Sequence, residues 1–311
     1  MTLIQFEYIL AVDKYRHFVT AAEKCYVTQP TLSMQIKKME EELGVLIFDR
    51  SKHPVEPTEI GKQVLNYARE ILTGPKKITE LIEETKSNIV GTVRLGVIPT
   101  VAPYLLPMFL ARFIRHHPHL SVEIDELLTN QIVDRIHAGT IDIGIIATPI
   151  KEENLVEHPL YYEPFVAYIS RSSKLDAHDR LDPSRLTPDQ LWVLNDGHCF
   201  RNQTLNLCGV ESNVKRRFPL EYKTGSLESI ITIVDQNYGY TLLPQLATDN
   251  MKDERKRRVR QLVEPIPNRE ISIVTHKGYL KLKLIEALKQ EILENIPLEL
   301  KNNKGMVVEW K

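Results

Sequence analysis

FVTAAEKCYVTQPTLSMQIKKMEEEL, residues 18–43, reads as two helices joined by a tight turn. In the first, FVTAAEKC, Ala21 and Ala22 are small enough for another helix to approach closely. Thr28 suits the N-cap of the second helix, because its hydroxyl accepts from an otherwise unpaired backbone N–H. Pro30 falls in the first turn, where its missing N–H costs little. Leu32, Ile36, Met39 and Leu43 then repeat at helical spacing and define one buried stripe. The opposite face carries Pro30, Met34, Lys37 and Lys38, with Thr28, Gln29, Thr31 and Ser33 clustered at its start. Such a face suits DNA: helix N–H groups meet phosphate, Gln pairs with an adenine edge and apolar groups touch a thymine methyl. Lysines there neutralise phosphates. On periodicity alone, an ordinary solvated helix explains the same residues equally well.

Working outward, Lys14, Arg16, Lys24, Lys37 and Lys38 face only Glu23 within residues 14–38, although the 311-residue chain carries a net charge of −1. A second basic run, KDERKRRVR, occupies 252–260 and reads as a solvated loop, with a polymerase or DNA contact as the lesser reading. Hydrophobic residues make up 42%, too many for a disordered chain, and the length suggests roughly two domains. No apolar run approaches the ~20 residues of a membrane helix, and the N-terminus lacks the basic start of a signal peptide. Three cysteines are too few, and odd in number, for a secreted disulfide framework. A cytoplasmic protein with no membrane association is expected, in which any disulfide is transient.

The literal string AAEKCYVTQPTLSMQIKKMEEELGVLIFDR resembles the winged helix-turn-helix of LysR-type transcriptional regulators. The match runs through AA, the TQPTLS turn, Q-I, the M-E pair, L-G, L-F and Arg50. Cys25 departs from it, since the family usually has Leu there; its place on the inner side of the first helix suggests a buried structural thiol. The resemblance implies promoter DNA as partner. It also implies that Arg50 and Ser51, opening the SKHPVEPT wing, contact the minor groove and backbone.

From Thr58 to Ile89, Ile60, Val64, Tyr67, Ile71, Gly74, Ile78, Leu81 and Thr85 alternate at +4 and +3. That seam calls for a partner helix, and a homodimer is expected through it. Pro75 should kink or split the helix. From residue 91 the order becomes TVRLGVIPT strand, PYLLPMFLARFIRHHP helix, SVEIDELL strand, NQIVDRIHAG helix and IDIGIIA strand, which argues for a parallel α/β sheet. FVAYIS, LWVLN, SLESIITIVDQ, GYTLLP, REISIVTH and KLKLIEALKQEILENI continue the alternation. Two subdomains with crossing strands near 163 and 267 follow. Ligands in such sheets lie beyond the strand C-termini, where Thr100, Thr129 and the HCF at 198–200 fall. This part is similar to the periplasmic-binding-protein-like effector domain of the same family. The expected organisation is a winged helix-turn-helix at 1–58, a linker helix at 59–89 and an effector domain at 90–311. Subdomain I covers about 90–163 plus 267–311, and subdomain II about 164–266.

The remaining motif is GHCFRNQTLNLCG, residues 197–209, with Cys199 and Cys208 nine positions apart. It admits a metal site, a static disulfide, two inert core thiols or a switch. Zinc needs about four ligands, and neighbouring residues rarely converge on one ion. RNQTLNLC reads as a short helix, and a partly helical path of ~1.5 Å per residue separates the Cα atoms by around 10 Å. A disulfide needs less than about 7 Å, so closing it would demand refolding.

Together with IPTVAPYLLP and GYTLLP, this segment resembles the hydrogen-peroxide-sensing branch of the family. That likeness implies Cys199 as the peroxidatic thiol, oxidised to sulfenic acid, and Cys208 as the resolving thiol. Peroxide reacts with thiolate, and His198 or Arg201 is positioned in sequence to stabilise it or donate a proton. The resemblance further implies that Thr100 and Thr129 bind peroxide or its leaving water and that Arg269, in EPIPNRE, borders the same pocket. It implies a tetramer; contact with RNA polymerase and a thiol reductant for re-reduction are also expected, with no cofactor and no metal. A metabolite-responsive regulator is the rival within the family, and a thiol peroxidase the rival outside it.

Overall fold

A computed structural model describes residues 1–85, 89–173, 175, 178–183, 186–187, 190–209, 222–236, 239–301 and 305–309. The chain divides into two compact units, Met1–Asn88 and Ile89–Lys311.

The first unit starts with α1 (Leu3–Tyr15), α2 (Phe18–Lys24) and α3 (Gln29–Leu43). Thr28 caps α3 by accepting from the Thr31 N–H at 3.4 Å, and Pro30 sits in its first turn. Leu32, Ile36 and Met39 are fully buried with Ile9, Val12, Ala21 and Ala22, and Leu43 packs at the edge of that cluster. Cys25 is only half-buried against the same core, so the expectation of a buried thiol was too strong: it caps α2 at the turn rather than lying inside the helix. A short antiparallel hairpin, β1 (Phe48–Asp49) and β2 (Glu56–Pro57), forms the wing. Then α4 (Glu59–Thr85) runs without a break through Pro75, so the helix does not split there.

One face of α4 buries Leu65 and Ala68 in the helix-turn-helix core, and Asp13 of α1 holds Arg69 at 2.5 Å. Another presents Ile60, Tyr67 and Ile71 to solvent, with Tyr67 66% exposed. The side chains of Ile78, Leu81 and Thr85 lie outside the described ones. Thr58 anchors the start of α4, donating to the Leu46 carbonyl at 2.7 Å and accepting from the Gly61 N–H at 2.9 Å.

The second unit contains β3 (Gly91–Val97), α5 (Ala102–His116), β4 (Leu120–Glu126), α6 (Thr129–His137), β5 (Ile143–Thr148) and β6 (Leu155–Ile169). There follow β7 (Arg180–Leu181), β8 (Leu191–Trp192), α7 (Cys199–Leu207), α8 (Leu227–Asp235), β9 (Tyr240–Pro244), α9 (Leu246–Asp249), α10 (Asp253–Lys256) and β10 (Val259–Leu262). It closes with β11 (Pro267–His276), α11 (Leu282–Asn295), α12 (Leu298–Lys301) and β12 (Met306–Val307).

β3 pairs parallel with β4 and β5, as the alternation predicts. The sheet is not wholly parallel, however, because β11 runs antiparallel to both β5 and β6. β6 is also far longer than the FVAYIS stretch suggested. Its first part pairs with β11 as far as Pro164, and Phe165–Ile169 pair with β9. This one strand therefore passes from one half of the unit to the other, close to the crossing expected near 163. Each half has its own core, one around β3, β5 and β11 and one around Phe165–Ile169, Ile231 and Leu243.

Gly61 lies against the wing: a Cβ there would come within 2.0 Å of the Ile47 carbonyl oxygen, a backbone atom that cannot swing away. Gly61→Ala is therefore expected to destabilise the first unit by about 3 kcal/mol. Thermal unfolding measures it, and an unchanged midpoint contradicts the packing described.

Candidate functional site

α7 spans both halves of the second unit. Cys199 belongs to the first core, whereas its neighbours Phe200 and Leu205 belong to the second. Cys199 occupies the first position of α7 and is 4% exposed. Thr129, opening α6, donates its hydroxyl to Cys199 Sγ at 3.6 Å. Burial pushes the Cys199 thiol up from its ordinary value. The Thr129 hydroxyl, the Arg269 guanidinium and the backbone N–H groups of Phe200 and Cys199 pull the other way without cancelling it.

Arg269 enters from β11 and is 1% exposed. Its Nη1 donates to Thr100 Oγ1 and its Nη2 to the Thr100 carbonyl, both at 2.9 Å. Glu163 Oε2 accepts from Nε at 2.9 Å and from Nη2 at 2.7 Å. A buried guanidinium needs such a counter-charge; Glu163, also 1% exposed, is in turn fixed by the Leu246 N–H at 2.8 Å. The guanidinium lies 5.1 Å from the Phe200 ring centroid, and that ring stacks on Phe165 at 5.1 Å. Thr129 and Cys199 are thus in contact, Thr100 and Arg269 are in contact, and the Arg269 charge reaches the Cys199 sulfur. Glu163 escaped the sequence reading, since a single acidic residue inside a strand carries no motif.

The two basic side chains next to Cys199 in sequence are placed differently. His198 is 6% exposed, and desolvation lowers its pKa, so its neutral form prevails at neutral pH and it supplies no fixed positive charge. It lines a surface recess with Tyr104, Leu128, Gln131 and Thr224. Arg201 turns to Asp196 at 3.0 Å and to the Leu194 carbonyl at 2.9 Å, which ties down the preceding loop instead of the thiol. The positive charge on Cys199 comes from Arg269, distant in sequence.

Cys208 caps the far end of α7, half-buried against the second core. Burial pushes its thiol up to about 12. Nine residues of helix at ~1.5 Å rise place the two Cα atoms roughly 13 Å apart, well beyond the reach of a disulfide. Among the described residues, Gln203 Oε1 and Thr204 Oγ1 of α7 are buried with no hydrogen-bond partner. Among the described residues, no cluster of three or more His, Cys, Asp or Glu could hold a metal.

In the first unit, α3 exposes Gln29, Pro30, Thr31, Met34, Lys37 and Lys38 beside Thr28, as expected; Lys37 reaches Glu41 at 3.6 Å. Ser33 is half-buried. Arg50 folds back from the wing, donating to Ser33 Oγ at 3.2 Å and Glu40 Oε2 at 3.0 Å, with its guanidinium 5.0 Å from the Phe18 ring centroid. Glu40, 4% exposed, also accepts from the Ile47 N–H at 2.8 Å. It locks the wing onto α3, a role that periodicity does not reveal. Ser51 Oγ donates to Asp49 Oδ1 at 2.6 Å. In the basic run, Arg255 and Arg258 both bind Asp235, at 2.8 and 3.1 Å, so two of its charges are structural. Among the described residues, no helix is long and apolar enough to cross a membrane.

A winged helix-turn-helix followed by a two-part α/β domain defines a class of DNA-binding regulator, and comparison with known proteins places the chain within it. Residues 3–62 match the bacterial regulatory helix-turn-helix protein model of the lysR family, and residues 86–297 match the LysR substrate binding domain. The chain belongs to the LysR family of transcription regulators. It is 32% identical over 281 residues to the hydrogen peroxide-inducible genes activator of Haemophilus influenzae, covering 89% of this chain and 91% of that protein. It is 32% identical over 284 residues to the DNA-binding transcriptional dual regulator OxyR of Escherichia coli, covering 89% and 90%. Among solved structures it is similar to a full-length OxyR variant from Pseudomonas aeruginosa, with a TM-score of 0.80 and 32% identity over 95% of this chain and 99% of that one.

With its thiol pKa raised, Cys199 should alkylate about tenfold faster per pH unit up to at least pH 9, because only the thiolate reacts. Thr129→Val, which removes a donor to sulfur, should slow it further at every pH in that range. Iodoacetamide rates followed by mass spectrometry check this; a plateau below pH 8 contradicts it.

Proposed function

We propose that this regulator senses hydrogen peroxide through Cys199 and reports the oxidation by forming a disulfide with Cys208. The observation that carries the reading is a buried Cys199 held by Thr129 beside the Arg269 charge, with the second thiol at the other end of the same helix. The relatives named for peroxide induction support it. Cys199 Sγ attacks one peroxide oxygen, the O–O bond breaks, and the second oxygen leaves as water with the thiol proton. Cys199 is left as a sulfenic acid. The Cys208 thiol then displaces that hydroxyl as a second water, and the two sulfurs are joined. Thr100, Thr129 and Arg269 hold the peroxide and its leaving oxygen by hydrogen bonds, and His198, neutral, lines the approach. A thiol reductant is needed to reset the pair.

Because α7 as a helix keeps the thiols apart, closure requires residues 199–208 to refold. Refolding alters how effector domains pack and, through them, the promoter and RNA polymerase contacts. The domains read as 1–58, 59–89 and 90–311. α3 reads the DNA through Gln29, Pro30, Thr31 and Met34, with Lys37, Lys38, Arg50 and Ser51 toward phosphate. The exposed Ile60, Tyr67 and Ile71 row of α4 supports pairing into homodimers, and the family supports tetramers.

Mass spectrometry without reductant, after one equivalent of peroxide, should find a linked peptide joining Cys199 and Cys208. Its absence, or its appearance only with gross excess, overturns the sensor reading. Separately, Gln29→Ala should weaken promoter binding by about 1–3 kcal/mol and relax sequence preference. Lys38→Ala should weaken all sequences alike and lower the salt slope by about 1. Both are read by titration of labelled DNA at several salt concentrations.

A further inference from the structure

α7 is tied to a segment just over a hundred residues further along the chain. Gln203, fully buried, donates its Nε2 to the Val308 carbonyl at 2.7 Å. Asn206, one turn later, donates its Nδ2 to the Glu309 carbonyl at 3.0 Å. The segment is seated on the strand that carries Arg269: β12 pairs with β11 at Pro267↔Met306 and Asn268↔Val307, and the Val308 N–H donates to the Asn268 carbonyl at 2.8 Å. Val308 is buried in the same core as Phe200 and Leu205. Gly305 makes the seat possible, since a Cβ there would fall 1.9 Å from Asn268 Nδ2 and 2.5 Å from the Ile266 carbonyl oxygen.

We infer that residues 305–309 are a latch on the redox helix, and that Gln203 and Asn206 are positioning residues that hold α7 in its helical, dithiol form through it. The inference rests on the peroxide and disulfide reading of Cys199 and Cys208. Both ties lie between the two cysteines in sequence. A backbone path that brings position 208 to position 199 turns residues 203 and 206 away from fixed carbonyls, so disulfide closure breaks the latch. Linkage runs both ways: whatever unseats 305–309 favours the disulfide.

Gly305→Val and Val308→Pro test this in the full chain, because neither changes α7 itself. In the reduced protein, amide exchange over residues 203–208 should speed up by about tenfold, with β3 and β5 amides unaffected. In glutathione buffers the equilibrium should move about tenfold toward the disulfide, a potential about 30 mV more negative. Sulfenic acid formation in a Cys208→Ser background should stay within about twofold, since the latch acts on the second step. In the unsubstituted oxidised protein the Val308 amide should lose protection, and in peroxide-treated Cys208→Ser it should keep it. Unchanged exchange at α7 overturns the latch, as does faster exchange with an unmoved glutathione equilibrium. If the unsubstituted protein forms no 199–208 linkage with peroxide or diamide, the sensor reading itself fails, a result separable from the exchange data.

Discussion

A single helix holds Cys199 and Cys208 too far apart to bond. That constraint organises the second unit, because α7 is rooted in both of its cores: Cys199 in one, Phe200 and Leu205 in the other. Around the thiol, Arg269 supplies positive charge without flooding the site, since Glu163 balances it and Thr100 fixes its direction. Burial wins the contest over the thiol's acidity. The resting sulfur is therefore held mainly as the neutral thiol.

The first unit answers to a different constraint, the lock between wing and recognition helix. Glu40 receives the backbone at Ile47 and the guanidinium of Arg50, and Arg50 rests on Phe18. These contacts fix the angle at which α3 presents Gln29 and Met34. They also occupy the Arg50 side chain, so its proposed use on DNA requires it to share or exchange partners. α4 carries both faces of the arrangement, one sealing the helix-turn-helix core and one left apolar and exposed.

Much of this was legible in the residues. The Leu32, Ile36 and Met39 stripe, the Thr28 cap and a short helix read at 201–208, which the fold starts two residues earlier, follow from local periodicity and capping chemistry. The strand at FVAYIS was legible too, but not its extension back to Leu155, where charged and polar residues break the apolar pattern. What was hidden is long-range or compensatory. Glu163 and Glu40 are single carboxylates whose partners lie far along the chain, and no spacing rule exposes them. His198 and Arg201 looked like thiol activators because they are adjacent in sequence, yet the fold pairs Arg201 with Asp196, and burial disfavours the charged form of His198. The antiparallel entry of β11 was missed because strand direction is set by the crossover, not by the strand's own residues. The roles given to Cys199, Cys208, Thr100, Thr129 and Arg269 rested on resemblance, and they remain proposals.

The account stands on α7 giving way. A crystal structure of the peroxide-oxidised protein, compared with its reduced form over residues 199–208, tests that directly. The account predicts a Cys199–Cys208 bond with the helix lost between them. A backbone that superposes on the reduced helix through 199–208 after stoichiometric oxidation would contradict it.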